Sequence, residues 1–168
     1  LRARGAYENT IIVFTSDHGE LNGDYGLIHK RNYMRPVVNV PLLISTPESR
    51  KNGGKTLDCV VSMADIGPTL AELSGNPVPY EQYARSLCPI LRGECDAVRD
   101  FALSECSNEI MYADRQWKMV VNGEGEAYQL FDLQNDPRET RNLAGLPEMR
   151  QKTDELRLRV FAELCRTS

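Results

Sequence analysis

No stretch of the 168-residue sequence approaches the roughly 20 consecutive apolar residues that a membrane-spanning helix needs. Neither a secretory leader nor an initiator Met opens the chain, and it contains no Asn-x-Ser/Thr acceptor for glycosylation. Cysteine is sparse and irregularly spaced. Cys59, Cys88, Cys95, Cys106 and Cys165 include no C-x-x-C pair, which argues against a zinc site, and their odd number argues against a complete disulfide framework. Scattered thiols of this kind lean towards a reducing, cytoplasmic setting. An excess of either charge is lacking too. Lys and Arg number 20 against 24 Asp and Glu, and the resulting net charge of -4 gives neither nucleic acid nor an anionic membrane a reason to bind.

A hydrophobic content of 41% supports one ordinary globular core. The opening "LRARGAYENT" reads as the tail of a helix that ends near Gly5 and leads through Asn9 and Thr10 into a strand. Together with the missing Met, this start is expected of a chain cut from something longer. "TIIVFT" (10–15) and "VPLLIS" (40–45) are short, continuous, β-branched apolar runs, the pattern of strands buried on both faces of an α/β sheet. "KNGGKTLDC" predicts a turn. "SMADIGPTLAELSG" (62–75) predicts a helix with Ile66, Leu70 and Leu73 on one face, closed by Gly75 and by the prolines at 77 and 79.

From residue 100 the pattern changes to short, partly alternating segments: "DFALSE", "QWKMVV" and "AYQLFDL". Trp117, Met119 and Val121 would share one strand face, and Asn122-Gly123 predicts a hairpin. A final helix is expected from Pro147, with Met149, Leu156, Val160 and Leu164 as its apolar stripe. The expected architecture is therefore α/β: residues 1–99 as the last part of an α/β domain, and 100–168 as a small antiparallel sheet with a C-terminal helix.

Chemistry concentrates in "TSDHGELNGDYGLIHK" (15–30). Asp17 and His18 follow directly on the first apolar strand, at the strand end where ligands bind in open α/β sheets. A carboxylate beside an imidazole offers an oxygen and a nitrogen to a divalent cation, although the same pair also suits a capping Asp and a hydrogen-bonded turn His. Lys30 returns just before the second strand. It can bring an ammonium to an anionic sulfuryl or phosphoryl group placed next to such a cation, or it can be an ordinary surface lysine.

The segment "NTIIVFTSDHGELNGDYGLIHKRNYMRPVVNVPLLIS" resembles the C-terminal metal-and-sulfate segment of the sulfatase family, within the alkaline phosphatase superfamily. "VSMADIGPTLAELSGNPVP", "RSLCPILRG" and "LFDLQNDPRETRNLAG" resemble later segments of that family in the same order, so the resemblance covers nearly the whole chain. It implies the C-terminal portion of an alkaline-phosphatase-like sandwich. It also implies Asp17 and His18 as metal ligands, typically for Ca2+ with Mn2+ or Mg2+ as alternatives, and Lys30 as the contact to sulfate. Gly19 is expected to matter for backbone geometry alone.

The sequence departs from the family at several points. Tyr25 stands where many relatives have His, His29 precedes the Lys where a small residue is common, and Arg35-Pro36 replaces an acidic pair. Tyr25, His29 and Arg35 are accordingly candidate substrate contacts, as is the "MYADRQW" region, the alternative for His29 being a merely exposed side chain. The resemblance further implies a formylglycine nucleophile made from Cys or Ser in the N-terminal half of the family. "CPILR" (88–92) is a near miss in the wrong place, and Cys88 reads as a structural thiol. The expected activity of a complete protein is hydrolysis of a small-molecule sulfate ester through a covalent intermediate. A phosphonate monoester or phosphodiester hydrolase is the alternative. A third reading is a catalytically inactive interaction module that self-associates through the exposed face of a truncated sheet.

Overall fold

The structure, a computed structural model, describes every residue except Asn52, Glu81 and Ser168. The chain divides into two compact units, Leu1–Asp58 and Cys59–Ser168.

In the first unit, strand β1 (Ile12–Thr15) pairs with β2 (Leu42–Ser45), and between them lies the short helix α1 (Arg35–Val38). The two runs predicted as strands are strands, but they pair antiparallel with Val13 opposite Ile44 and Phe14 opposite Leu43. Burial on both faces is not observed. Phe14 is 62% exposed and its partner Leu43 is 58% exposed, because a two-stranded ribbon within this unit has nothing to lay against its second face. The predicted helix tail at the start is instead two 3-10 turns, Arg2–Arg4 and Tyr7–Asn9, with Gly5 in the left-handed region at φ 64°. Arg50 fastens this segment to the strands. Its guanidinium donates to the carbonyls of Tyr7 (2.7 Å) and Thr10 (2.9 Å) and to Ser45 Oγ (2.9 Å), and it lies over the Tyr7 ring. The turn expected over "KNGGKTLDC" includes Gly53 at φ 75°, whereas Asn52 lies outside the described residues.

In the second unit, a 3-10 turn (Met63–Asp65) runs into α2 (Ile66–Leu73). Ser62 begins the turn as a capping box: its hydroxyl accepts from the Ala64 N–H, and the Asp65 carboxylate accepts from the Ser62 N–H at 2.8 Å. The predicted stripe of Ile66, Leu70 and Leu73 is not the buried face. Asp65, Pro68 and Thr69 are buried, and Leu70 is exposed. This side is polar and satisfied: Asp65 is gripped by Nε and Nη2 of Arg99 and accepts from the Arg85 N–H (2.8 Å), while Thr69 Oγ1 accepts from the Leu87 N–H (2.8 Å). Helix α3 (Cys88–Arg92) follows. Cys88 at its start is fully buried and directs its thiol to the Thr69 carbonyl, the structural role expected of it.

The four strands β3 (Phe101–Cys106), β4 (Glu109–Asp114), β5 (Trp117–Val121) and β6 (Ala127–Asp132) form an antiparallel meander in that order. The hairpin expected at Asn122-Gly123 is present, but it turns differently. The positive φ falls on Gly125 (79°), and the Asn122 side chain accepts from the N–H groups of Glu124 and Glu126. Helix α4 (Arg150–Thr167), entered through the 3-10 turn at Pro147, packs its predicted stripe on this sheet. Tyr112, Met119, Val121, Leu130, Leu156 and Val160 form the core, with Trp117, Met149 and Leu164 against it. The buried pair Lys118–Glu139 sits beside the Phe131 ring. Among the described residues no helix is long and apolar enough to cross a membrane.

Candidate functional site

The chain leaves β1 at Thr15 and turns at once. Ser16 Oγ donates to the His18 carbonyl at 2.7 Å, and Asp17 Oδ1 accepts from the His18 N–H at 2.9 Å. Gly19 completes the turn by donating its N–H to the Val37 carbonyl at 2.7 Å. The two backbones approach so closely that a Cβ on Gly19 would lie 1.9 Å from the Pro36 carbonyl oxygen. This is the physical requirement for glycine in "DHG". It also shows what Arg35-Pro36 does here: these residues open α1, whose first turn is the wall against which the site turn is pressed.

The His18 ring is oriented by its own neighbour. Nδ1 lies 2.8 Å from the Gly19 carbonyl, an acceptor, so Nδ1 carries the proton and Nε2 presents its lone pair. Nε2 is 3.4 Å from Asp17 Oδ2 and is contacted by the Lys30 ammonium. The Asp17 side chain is 84% exposed. Its carboxyl is held below the ordinary 3.8, first by the His18 N–H it accepts, then by the His18 ring, with Lys30 adding to the effect.

Lys30 reaches this position from a loop of unusual backbone. Leu21 is buried at 1% exposure and anchors the loop, with its N–H directed to the His29 carbonyl. Beyond it, Asn22, Tyr25, His29 and Arg31 all have positive φ, at 50°, 57°, 72° and 73°. Left-handed geometry costs an L-residue about 1–2 kcal/mol, and it is imposed on both neighbours of Lys30. Asp17, His18 and Lys30 are thus brought together. Tyr25 and His29 lie exposed on the same loop. In the "MYADRQW" region Tyr112 is fully buried and donates to Asp114 at 2.8 Å, and burial raises its phenol well above the usual range.

Asp17 and His18 supply one hard oxygen and one imidazole nitrogen about 3.4 Å apart, a donor set that fits two positions on a divalent cation. Among the described residues no group of three or more His, Cys, Asp or Glu is gathered. A groove of about 800 Å³ lies within the second unit between α4 and the β3–β4 and β5–β6 turns, and none of the three site residues lines it.

A family model described as N-sulphoglucosamine sulphohydrolase, C-terminal, matches residues 23–165, a span that includes Lys30 and begins just after Asp17 and His18. The chain is 34% identical to arylsulfatase K of Xenopus laevis over 172 residues, covering 92% of this chain and 32% of that protein. A solved structure of a 2-O GAG sulfatase superposes with a TM-score of 0.82 at 29% identity, covering 96% of this chain and 37% of that one. The phosphonate monoester hydrolase of Agrobacterium radiobacter superposes with a TM-score of 0.86 at 25% identity, covering 99% and 37%. The chain spans about a third of the length of the curated relatives it matches. It belongs to the sulfatase family, in the region the family model describes as C-terminal.

Proposed function

We propose that the protein carrying this chain hydrolyses small-molecule sulfate esters, with Asp17 and His18 as two ligands of a divalent cation and Lys30 as the contact to the sulfate. The observation that carries this reading is the convergence of those three side chains at the end of β1, in a chain whose relatives are sulfatases. Ca2+ is the cation that the family resemblance implies, with Mn2+ or Mg2+ as alternatives. When bound, the cation polarises the sulfuryl group and offsets charge developing on it.

The chain's own residues do the positioning. The Gly19 carbonyl fixes the His18 tautomer, the close approach of Gly19 to Pro36 fixes the turn, and the strained loop brings Lys30 beside His18, within reach of a sulfate bound next to the cation. Tyr25 and His29, exposed on that loop, are proposed contacts to the ester's organic part. The nucleophile is expected to be a formylglycine outside residues 1–168, as the family resemblance implies, and Cys88 is buried in a structural contact. The 168-residue chain alone is therefore expected to be inactive. Residues 1–99 are proposed to complete an α/β domain with the remainder of the protein, and 100–168 to form its small sheet-and-helix part.

The likeness to a phosphonate monoester hydrolase supports a second reading, transfer at phosphorus through the same residues. The product of the full reading frame is to be assayed on 4-nitrophenyl sulfate and on a phenylphosphonate ester, with Ca2+ present. A kcat/KM favouring sulfate supports the proposal, and a preference for the phosphonate replaces it with the second reading. Turnover by the 168-residue chain alone would refute a nucleophile outside it.

A further inference from the structure

His18 Nε2 has a single lone pair, and two cations have a claim on it. Nδ1 gives its proton to the Gly19 carbonyl at 2.8 Å, so the ring has no other acceptor site to offer. The Lys30 ammonium is the partner of Nε2, and Asp17 Oδ2 lies 3.4 Å from the same nitrogen. A positively charged group therefore occupies the nitrogen that would bind a divalent cation, beside the Asp17 carboxylate. It is held there by a loop with left-handed backbone on either side of it, at His29 and Arg31.

We infer that Lys30 is a place-holder for the metal: its ammonium occupies His18 Nε2 in the cation-free site and must leave that nitrogen when a divalent cation takes it. This rests on the assignment of Asp17 and His18 proposed above. The exchange is non-covalent and balanced. An N–H···N hydrogen bond is given up, a coordination bond to Nε2 forms, and Lys30 leaves with all three of its protons. Loading the cation and releasing Lys30 towards a substrate anion are then a single event. By reciprocity, an anion that draws Lys30 away must tighten cation binding by the same factor.

The test uses the 168-residue chain, labelled with 15N-histidine. It contains two histidines, so His18 is assigned by comparison with a His29→Gln variant. In the cation-free wild type, the His18 Nε2 signal is expected to report a hydrogen-bonded acceptor, and in Lys30→Met it should move towards the value of an unbonded one. Titration with Mn2+, followed by the electron paramagnetic resonance signal of the free ion, is expected to show roughly three- to tenfold tighter binding to Lys30→Met than to wild type, since the competing charge is gone. Lys30→Arg, which keeps a cation, should stay near wild type. Inorganic sulfate should tighten Mn2+ binding more in wild type than in Lys30→Met.

An unchanged Nε2 signal in Lys30→Met overturns the place-holder role, and so does Mn2+ affinity equal to or weaker than wild type. A His18→Ala variant separates this failure from failure of the metal assignment. If His18→Ala leaves Mn2+ affinity intact in both Lys30 backgrounds, the cation does not use His18 and the metal assignment is wrong. The cation-free Nε2 signal still tests the Lys30 contact on its own.

Discussion

Replacing Gly19 by Ala tests whether the site turn is held by the backbone packing seen here. The added Cβ would lie 1.9 Å from the Pro36 carbonyl oxygen and 3.0 Å from its carbonyl carbon, against about 3.5 Å or more for a relaxed contact. Both obstacles are backbone, so no rotamer change relieves them, and the two segments must part by about 1.5 Å or more. That separation also breaks the 2.7 Å bond from the Gly19 N–H to the Val37 carbonyl. Overpacking of this kind costs about 1–3 kcal/mol and the lost hydrogen bond about 1, giving about 2–4 kcal/mol in all. The first unit contains no Trp, so native-state amide exchange followed by mass spectrometry on peptides spanning β1, α1 and β2 is the suitable assay. The expected result is protection lowered about thirty- to a thousandfold in the first unit, with the four-stranded sheet unaffected. Protection within threefold of wild type in all three elements would refute the close approach and, with it, the account of how the turn aims Asp17 and His18.

The buried pair of Asp65 and Arg99 predicts that Asp65→Asn, which leaves the guanidinium without its counter-charge, costs about 3–5 kcal/mol in urea unfolding read by Trp117 fluorescence; a loss under 1 kcal/mol would contradict that role. For Lys118 and Glu139, Lys118→Met alone should be severe, and the double variant Lys118→Met/Glu139→Leu should recover most of the loss in the same assay, because no buried charge is then left uncompensated. Acid should destabilise the fold by a predictable route. Asp136, through the Arg141 N–H, and Glu163, through Arg166, titrate below their ordinary 3.8 and 4.5. A lowered folded-state value gives stability that is complete above the unfolded-state value and is lost as pH falls through the folded one. Circular dichroism melts should therefore hold steady down to about pH 4.5 and fall below it, and a Tm independent of pH between 5 and 3 would contradict the assignment.

The parts of this structure that were legible in the sequence are those whose side-chain period is unambiguous. Trp117, Met119 and Val121 alternate, and Met149, Leu156, Val160 and Leu164 recur at helical spacing; both sets line the core of the second unit. β4 was missed because its apolar residues Ile110, Met111 and Tyr112 are contiguous, and its entry depends on Ser107 adopting φ 58°. The burial of α2 was misread for another reason. Its inward side is made by Asp65 and Thr69, whose partners Arg99 and Leu87 lie 34 and 18 residues away and leave no local periodicity. β1 and β2 read as strands covered on both faces, but exposure of Phe14 and Leu43 depends on what packs against the sheet, which an apolar run cannot specify.

At the site, the residue types at 17, 18 and 30 were legible by motif, as was the need for glycine at 19. The contact between Lys30 and His18 was not, because it depends on left-handed backbone at His29 and Arg31, positions where nothing in the residue identities announces it.

The central claim is that Asp17, His18 and Lys30 act on a sulfate ester. It is tested most directly by kcat/KM for 4-nitrophenyl sulfate in the product of the full reading frame, comparing wild type with Asp17→Asn, His18→Ala and Lys30→Ala at saturating Ca2+. The account predicts that each variant folds as wild type by circular dichroism and loses about a hundredfold or more in kcat/KM, since each removes a ligand or charge acting where the transition state develops its own. Folded variants that all retain kcat/KM within threefold of wild type would contradict it.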